Sequence, residues 1–251
     1  MTSTPLHAQT TSAKTHQAAD PRLICALDLP SVAEARAMVE RIGDAISFYK
    51  IGLQLFASNG MDLARELKAE GHQVFLDWKL HDIGATVEKA VAVLAESHCD
   101  FLTVHARPQV MAAARRGVAG SSLKVLGVTV LTSLSADDLL ADGHSLSPAL
   151  LVERRVRQAL DSGIDGVVSS PQEAARVREL ALEAGRPDFL IVTPGVRPLG
   201  AAMDDQARAA TPEQALKDGA THLVIGRPIT ASPNPRSSAL TAAEAITRAV
   251  A

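Results

Sequence analysis

The sequence predicts a single α/β domain, a (β/α)8 TIM barrel, on three observations. Short apolar or β-branched runs alternate eight times with longer stretches of helical period. The eight units fit in about 230 residues, the size of a closed parallel barrel. Polar and charged residues gather at the carboxyl ends of the strand candidates, where barrels carry their chemistry. A doubly wound open sheet is the alternative. It usually needs fewer units and would place a glycine-rich turn after its first strand, yet that strand ends Leu27-Asp28-Leu29-Pro30.

The elements follow in order. Residues 1–20 are rich in Thr, Ser, Ala, Gln and His without apolar period, and read as a flexible N-terminal tail. They contain neither the apolar stretch of a secretory signal nor arginine. Residues 21–251 form the barrel domain. Its strand candidates are Arg22–Asp28, Ser47–Gly52, Val74–Leu80, Phe101–Ala106, Lys124–Leu131, Gly166–Ser170, Phe189–Val196 and His222–Gly226. The intervening helices are Ser31–Ile42, Met61–Ala69, Ala85–Glu96, Gln109–Arg116, Pro148–Leu160, Pro171–Ala184, Pro212–Lys217 and Thr241–Val250, with apolar residues three or four apart. Ser31, Ser147 and Thr211-Pro212 are helix-start signals.

Composition narrows the function. The chain is 47% hydrophobic and 21% charged, with a net charge of −3. A nucleic-acid partner would call for a basic excess. No apolar run approaches the roughly 18 residues needed to span a bilayer. Cys25 and Cys99 are too few for a disulfide framework and sit in apolar surroundings. Buried free thiols and a cytoplasmic location are the expectation.

The most informative stretch is Val74-Phe75-Leu76-Asp77-Trp78-Lys79-Leu80-His81-Asp82-Ile83. Strand alternation puts Asp77 and Lys79 on one face and Trp78 on the other. Charges facing a barrel interior are costly unless paired. An isolated Asp-x-Lys reads as a structural ion pair. Here Asp82 follows, Lys50 ends the second strand and Asp28 the first. Neighbouring strands thus deliver alternating charges to one place, and buried pairs of this kind are weak stabilisers.

A second cluster ends strands seven and eight, at Thr193-Pro194-Gly195-Val196-Arg197 and Ile225-Gly226-Arg227-Pro228. In many barrels these loops bind phosphate. Gly226 would let backbone N–H groups approach an anion, and Arg227 could grip it with two N–H groups. Arg197 reads equally as a surface loop residue. Thr132 and Ser133 end strand five, and their hydroxyls could meet a polar ring or cap the helix expected at Ala136-Asp137. His105 ends strand four and reads best as a structural histidine.

The pattern Asp77-x-Lys79-x-x-Asp82-Ile83-x-x-Thr86 resembles the signature of the orotidine 5′-phosphate decarboxylase family. The resemblance extends beyond the tail over nearly the whole chain. It takes in Ala26-Leu27-Asp28, Lys50-Ile51-Gly52, Leu131-Thr132-Ser133, Thr193-Pro194-Gly195-Val196-Arg197-Pro198, Asp205-Gln206 and Val224-Ile225-Gly226-Arg227-Pro228. Gly84 departs from it, standing where the family usually has proline, and the tail has no counterpart.

The resemblance implies conversion of orotidine 5′-monophosphate to UMP in de novo pyrimidine biosynthesis, with no metal and no cofactor. It implies that Lys79 donates the proton that replaces CO2, that Asp77 lies beside the substrate carboxylate, and that Lys50 and Asp82 hold this pair in place. It assigns Asp28 to the ribose or pyrimidine edge, Thr132 and Ser133 to the pyrimidine, and Arg197, Gln206, Gly226 and Arg227 to the phosphate end. It also implies a homodimer in which the segment from Asp82 to Thr86 enters the partner's site, adding Thr86 to the substrate contacts. Two rivals share parts of the pattern. A sugar-phosphate decarboxylase group uses Mg2+ with an acidic residue where this chain has Lys50. A catalytically silent nucleotide-binding barrel would not need the Asp77, Lys79 and Asp82 set.

Overall fold

A computed structural model describes residues 19–197 and 210–250. Its sheet is a closed parallel barrel in simple sequence order. The strands are β1 (Leu23–Ala26), β2 (Phe48–Gly52), β3 (Gln73–Leu80), β4 (Phe101–His105), β5 (Lys124–Val128), β6 (Gly166–Val168), β7 (Leu190–Pro194) and β8 (His222–Ile225). Closure comes from β8 lying beside β1, with Leu223 opposite Leu23 and Ile225 opposite Cys25. Every strand lies where the sequence predicts it. Several end earlier than predicted, β5 at Val128 and β6 at Val168, because their last residues leave the ladder to line the mouth.

Two apolar clusters follow from strand alternation. Ile24, Ala26, Phe48, Phe75, Phe101, Leu126, Val192 and Val224 fill the barrel interior. Their strand neighbours of opposite parity, such as Cys25, Tyr49, Leu76 and Leu102, join the larger cluster that seals the sheet against its helices. Both cysteines are buried and free, as expected.

Inside the barrel an aromatic floor supports the site. Phe101 packs edge-on against Phe48, Phe75 and His222 at centroid distances of 5.0, 5.8 and 5.1 Å. One inward position further along these strands come Lys50, Asp77 and Thr103. The period of two therefore stacks a polar layer directly on an aromatic one.

Eleven helices are assigned among the described residues: α1 (Val32–Ile42), α2 (Leu53–Phe56), α3 (Gly60–Ala69), α4 (Gly84–Ala95), α5 (Pro108–Gly117), α6 (Ala136–Ala141), α7 (Pro148–Asp161), α8 (Ala174–Glu183), α9 (Pro212–Lys217), α10 (Arg227–Thr230) and α11 (Pro235–Val250). The four-residue α2 and α10 carry too few residues to show a period. The last helix begins six residues before its predicted start at Thr241. Asn234 explains this, since its side-chain oxygen accepts from the Ser237 N–H and caps the new end.

Of the predicted tail, residues 1–18 lie outside the described residues. Asp20 belongs to the barrel: its carboxylate accepts from the Arg22 backbone N–H and guanidinium.

Candidate active site

At the carboxyl ends of the strands lies a cavity of about 380 Å3. That is room for a small ligand. Its lining includes Asp28, Lys50, Asp77, Lys79, Thr132, Arg197, Gly226 and Arg227, eight of the residues singled out in the sequence.

Four of them form a chain of alternating charge. The Lys50 ammonium lies 3.0 Å from Asp28 Oδ1 and 3.2 Å from Asp77 Oδ2. Lys79 Nζ lies 2.8 Å from the other oxygen, Asp77 Oδ1. One carboxylate is thus held between two ammonium groups. Lys50 is only 7% exposed, and an unpaired buried ammonium would be expensive. Burial pushes its pKa down, but Asp77 and Asp28 outweigh burial and hold it above the ordinary lysine value. Burial pushes Asp77 up, and Lys50 and Lys79 outweigh it, leaving the carboxyl below the ordinary range. Lys50 and Asp77 are therefore both held in their charged forms near neutrality.

The two lysines differ in exposure. The Lys50 side chain is 9% exposed and shared between two carboxylates, whereas Lys79 is 26% exposed and bonded to Asp77. Both line the cavity, and Lys79 is the more accessible of the two.

The backbone that presents Lys79 is unusual. Its φ is 51°, a left-handed conformation that costs a non-glycine residue roughly 1–2 kcal/mol. Around it the β3–β4 register shifts between Leu76 and Leu80. The inward–outward pattern survives, since Trp78 is buried against the Phe56 ring at 4.5 Å. Thr103, which the sequence reading passed over, closes the gap. It accepts from the Lys79 backbone N–H at 2.9 Å and donates to Asp77 Oδ1 at 3.1 Å. Its signal was available: it is a polar residue in the middle of a strand, two positions from the inward Phe101.

Gly52 ends β2, two residues after Lys50. A Cβ there would lie 2.6 Å from Asp28 Oδ1 and 3.2 Å from Lys50 Nζ. A side chain here would push the Asp28 carboxylate, and with it the ion pair to Lys50, out of place.

The rest of the cavity divides in two. Val128, Val130, Leu131, Val168 and Pro194 supply an apolar wall, and Gly195, Arg197, Gly226 and Arg227 a cationic rim. Gly195 has φ 79°, which sends the chain out of β7 along the rim.

The remaining predicted residues fall elsewhere. Thr132 lines the cavity, whereas Ser133 is exposed and does not. Neither caps the following helix; that role falls to Ser135, in a capping box with Asp138. Asp82 and Thr86 are exposed, outside this chain's own cavity. The Asp82 carboxylate accepts from the Ile83 N–H at 2.6 Å. Gln206 lies outside the described residues. His105 lines a neighbouring hollow with His81 and Arg155, and burial, reinforced by His81 and Arg155, holds its pKa below the ordinary value. Among the described residues, no group of three or more His, Cys, Asp and Glu side chains could hold a metal.

The chain is similar to known proteins over most of its length. Residues 21–242 match the family model described as "Orotidine 5'-phosphate decarboxylase / HUMPS family". A protein of Caulobacter vibrioides (strain NA1000 / CB15N) named orotidine 5′-phosphate decarboxylase is 67% identical over 222 residues, 88% of this chain and 95% of its own. One of Ruegeria pomeroyi with the same name is 53% identical over 227 residues, covering 88% and 92%. The crystal structure of orotidine 5′-phosphate decarboxylase from Lactobacillus acidophilus superposes with a TM-score of 0.77 at 35% identity, covering 92% of this chain and 99% of that one. With its barrel, its charged array and 222 consecutive residues matched, this chain belongs to the orotidine 5′-phosphate decarboxylase/HUMPS family.

Proposed function

We propose that this chain is a decarboxylase of orotidine 5′-monophosphate, forming UMP in pyrimidine biosynthesis, without a metal and with Lys79 as proton donor. The observation that carries the reading is the Asp77 carboxylate gripped by Lys50 and Lys79 in a cavity whose lining also includes Arg197 and Arg227.

The chemistry follows from placement. With phosphate at the Arg227 rim, the pyrimidine lies towards the charged array, and its C6 carboxylate faces Asp77. Two like charges at 4 Å repel by about 4 kcal/mol at an effective dielectric of 20. Breaking the C6–carboxylate bond releases CO2 and leaves the electron pair on C6. The Lys79 ammonium stabilises that developing charge and then transfers a proton to C6; the amine regains its proton from solvent. The array is assembled before substrate arrives, so little reorganisation accompanies the reaction. Remote binding of the phosphate contributes to chemistry at the base.

Lys50 favours this reading over a Mg2+-dependent sugar-phosphate decarboxylase. Its ammonium occupies the space between Asp28 and Asp77, where a metal would need both carboxylates. The exposed positions of Asp82 and Thr86, outside their own chain's cavity, support a homodimer with shared sites. No described helix is long and apolar enough to cross a membrane, and we propose a cytoplasmic enzyme.

One assay tests the reading: CO2 release from orotidine 5′-monophosphate by the full chain, with and without exhaustive chelation. Release unaffected by chelator is expected. Loss of release restored by Mg2+ would favour the sugar-phosphate reading, and no release in either arm would favour a silent nucleotide-binding barrel.

A further inference from the structure

Between the paired positions Leu76↔Leu102 and Leu80↔Val104, β3 advances four residues while β4 advances two. The extra length of β3 includes Lys79, whose backbone is left-handed. Such a bulge removes ladder partners, and an unpaired N–H in a buried setting is costly.

Thr103 answers this with a single hydroxyl. Its oxygen accepts from the Lys79 N–H at 2.9 Å, and its proton goes to Asp77 Oδ1 at 3.1 Å. The direction is fixed, because an amide N–H only donates and a carboxylate only accepts. The same Asp77 oxygen receives the Lys79 ammonium at 2.8 Å. The result is a closed ring: Lys79 backbone, Thr103 hydroxyl, Asp77 carboxylate, Lys79 side chain. Thr103 is fully buried, so solvent has no route to replace its hydroxyl. Its β-branch also restricts the hydroxyl to few orientations.

We infer that Thr103 is a positioning residue, fixing the Lys79 backbone against the Asp77 carboxylate so that the Lys79 ammonium is aimed at the reacting carbon. The inference rests on the proposed decarboxylation. It makes a specific demand: the hydroxyl should matter for turnover and not for capture of the nucleotide. Capture is assigned to the rim at Arg227, which follows β8, three strands round the barrel from β3.

The test compares Thr103→Val, which keeps the shape and deletes the hydroxyl, with Thr103→Ser, which keeps the hydroxyl. CO2 release from orotidine 5′-monophosphate gives kcat and KM, and UMP titration gives the affinity of the site. Small misplacements of a catalytic group cost up to about 100-fold. Thr103→Val should lose roughly 10- to 100-fold in kcat with UMP affinity little changed, and Thr103→Ser should recover most of the loss. Should the valine variant not fold, Thr103→Ala against Thr103→Ser isolates the hydroxyl, since both lack the methyl group. Unchanged kcat in the variant without the hydroxyl overturns the inference. So does a parallel fall in kcat and UMP affinity, which marks a merely structural role. If the unmodified protein releases no CO2, the proposed decarboxylation fails instead, and the two failures are told apart by that first measurement.

Discussion

Lys79 Nζ and Asp77 Oδ1 lie 2.8 Å apart, joined across a turn of left-handed backbone within a single strand. The pair is local in sequence but owes its geometry to its neighbours. Lys50 holds the second Asp77 oxygen, and Thr103 holds both the first oxygen and the Lys79 N–H. Each member is thus held by the others, and removing one should disturb the aim of the rest.

Replacing Lys79 with alanine should abolish decarboxylation while sparing UMP binding. Lys79 stands on β3 and Arg227 follows β8, three strands away round the barrel, so the proposed phosphate contact does not involve Lys79. Proton transfer by a positioned group is worth roughly 100- to 10,000-fold, and the loss of the ammonium's charge adds to this. Turnover within tenfold of the unmodified protein would remove Lys79 as the proton donor.

Arg227→Ala tests the phosphate end. A charged hydrogen bond contributes about 1.5–3 kcal/mol, so KM for orotidine 5′-monophosphate should rise roughly 10- to 100-fold. Uridine, which lacks the phosphate, should bind the variant and the parent alike. An unchanged preference for UMP over uridine would place the phosphate elsewhere.

Shared sites are tested by mixing subunits. Asp82 is exposed and outside its own chain's cavity, while Lys79 lines it. Under two-fold pairing, a dimer of Lys79→Ala with Asp82→Ala has one site with both lesions and one with neither. With random exchange about half the dimers are mixed, so roughly a quarter of all sites should be intact. If exchange is verified and activity stays at the level of the separate mutants, Asp82 acts within its own chain.

His222 should make the fold acid-sensitive. It is part of the aromatic floor, edge-on to Phe101 and Phe48. Burial lowers its pKa to about 4, against about 6.5 in an unfolded chain. Between these values the unfolded state binds the proton and the folded state does not. Stability should therefore fall as pH drops from 6.5 to 4, by about 3 kcal/mol, and level off below. Denaturant titrations across this range should show the slope, and His222→Phe should flatten it. An equal slope in both proteins would rule out His222 as its source.

Much of this was legible in the sequence because it depends on local period and chain order. Eight alternating strands and helices demand a parallel sheet, and strand parity alone places Lys50, Asp77 and Trp78 on their observed faces. Position at a strand's carboxyl end marked Asp28, Thr132, Gly226 and Arg227 as cavity residues, and all four line it. Tertiary structure decided what parity cannot express. The sheet sets β2 between β1 and β3, and only then does one lysine on β2 bridge Asp28 and Asp77 across three strands. Thr103 acquires its meaning only because a shift in register leaves the Lys79 N–H opposite its hydroxyl, and Ser133 turns outward where Thr132 turns in. The left-handed backbone at Lys79 carries no local signal, since lysine has no preference for it. It persists because packing on both sides of β3, by Trp78 outward and the ion pairs inward, outweighs its cost.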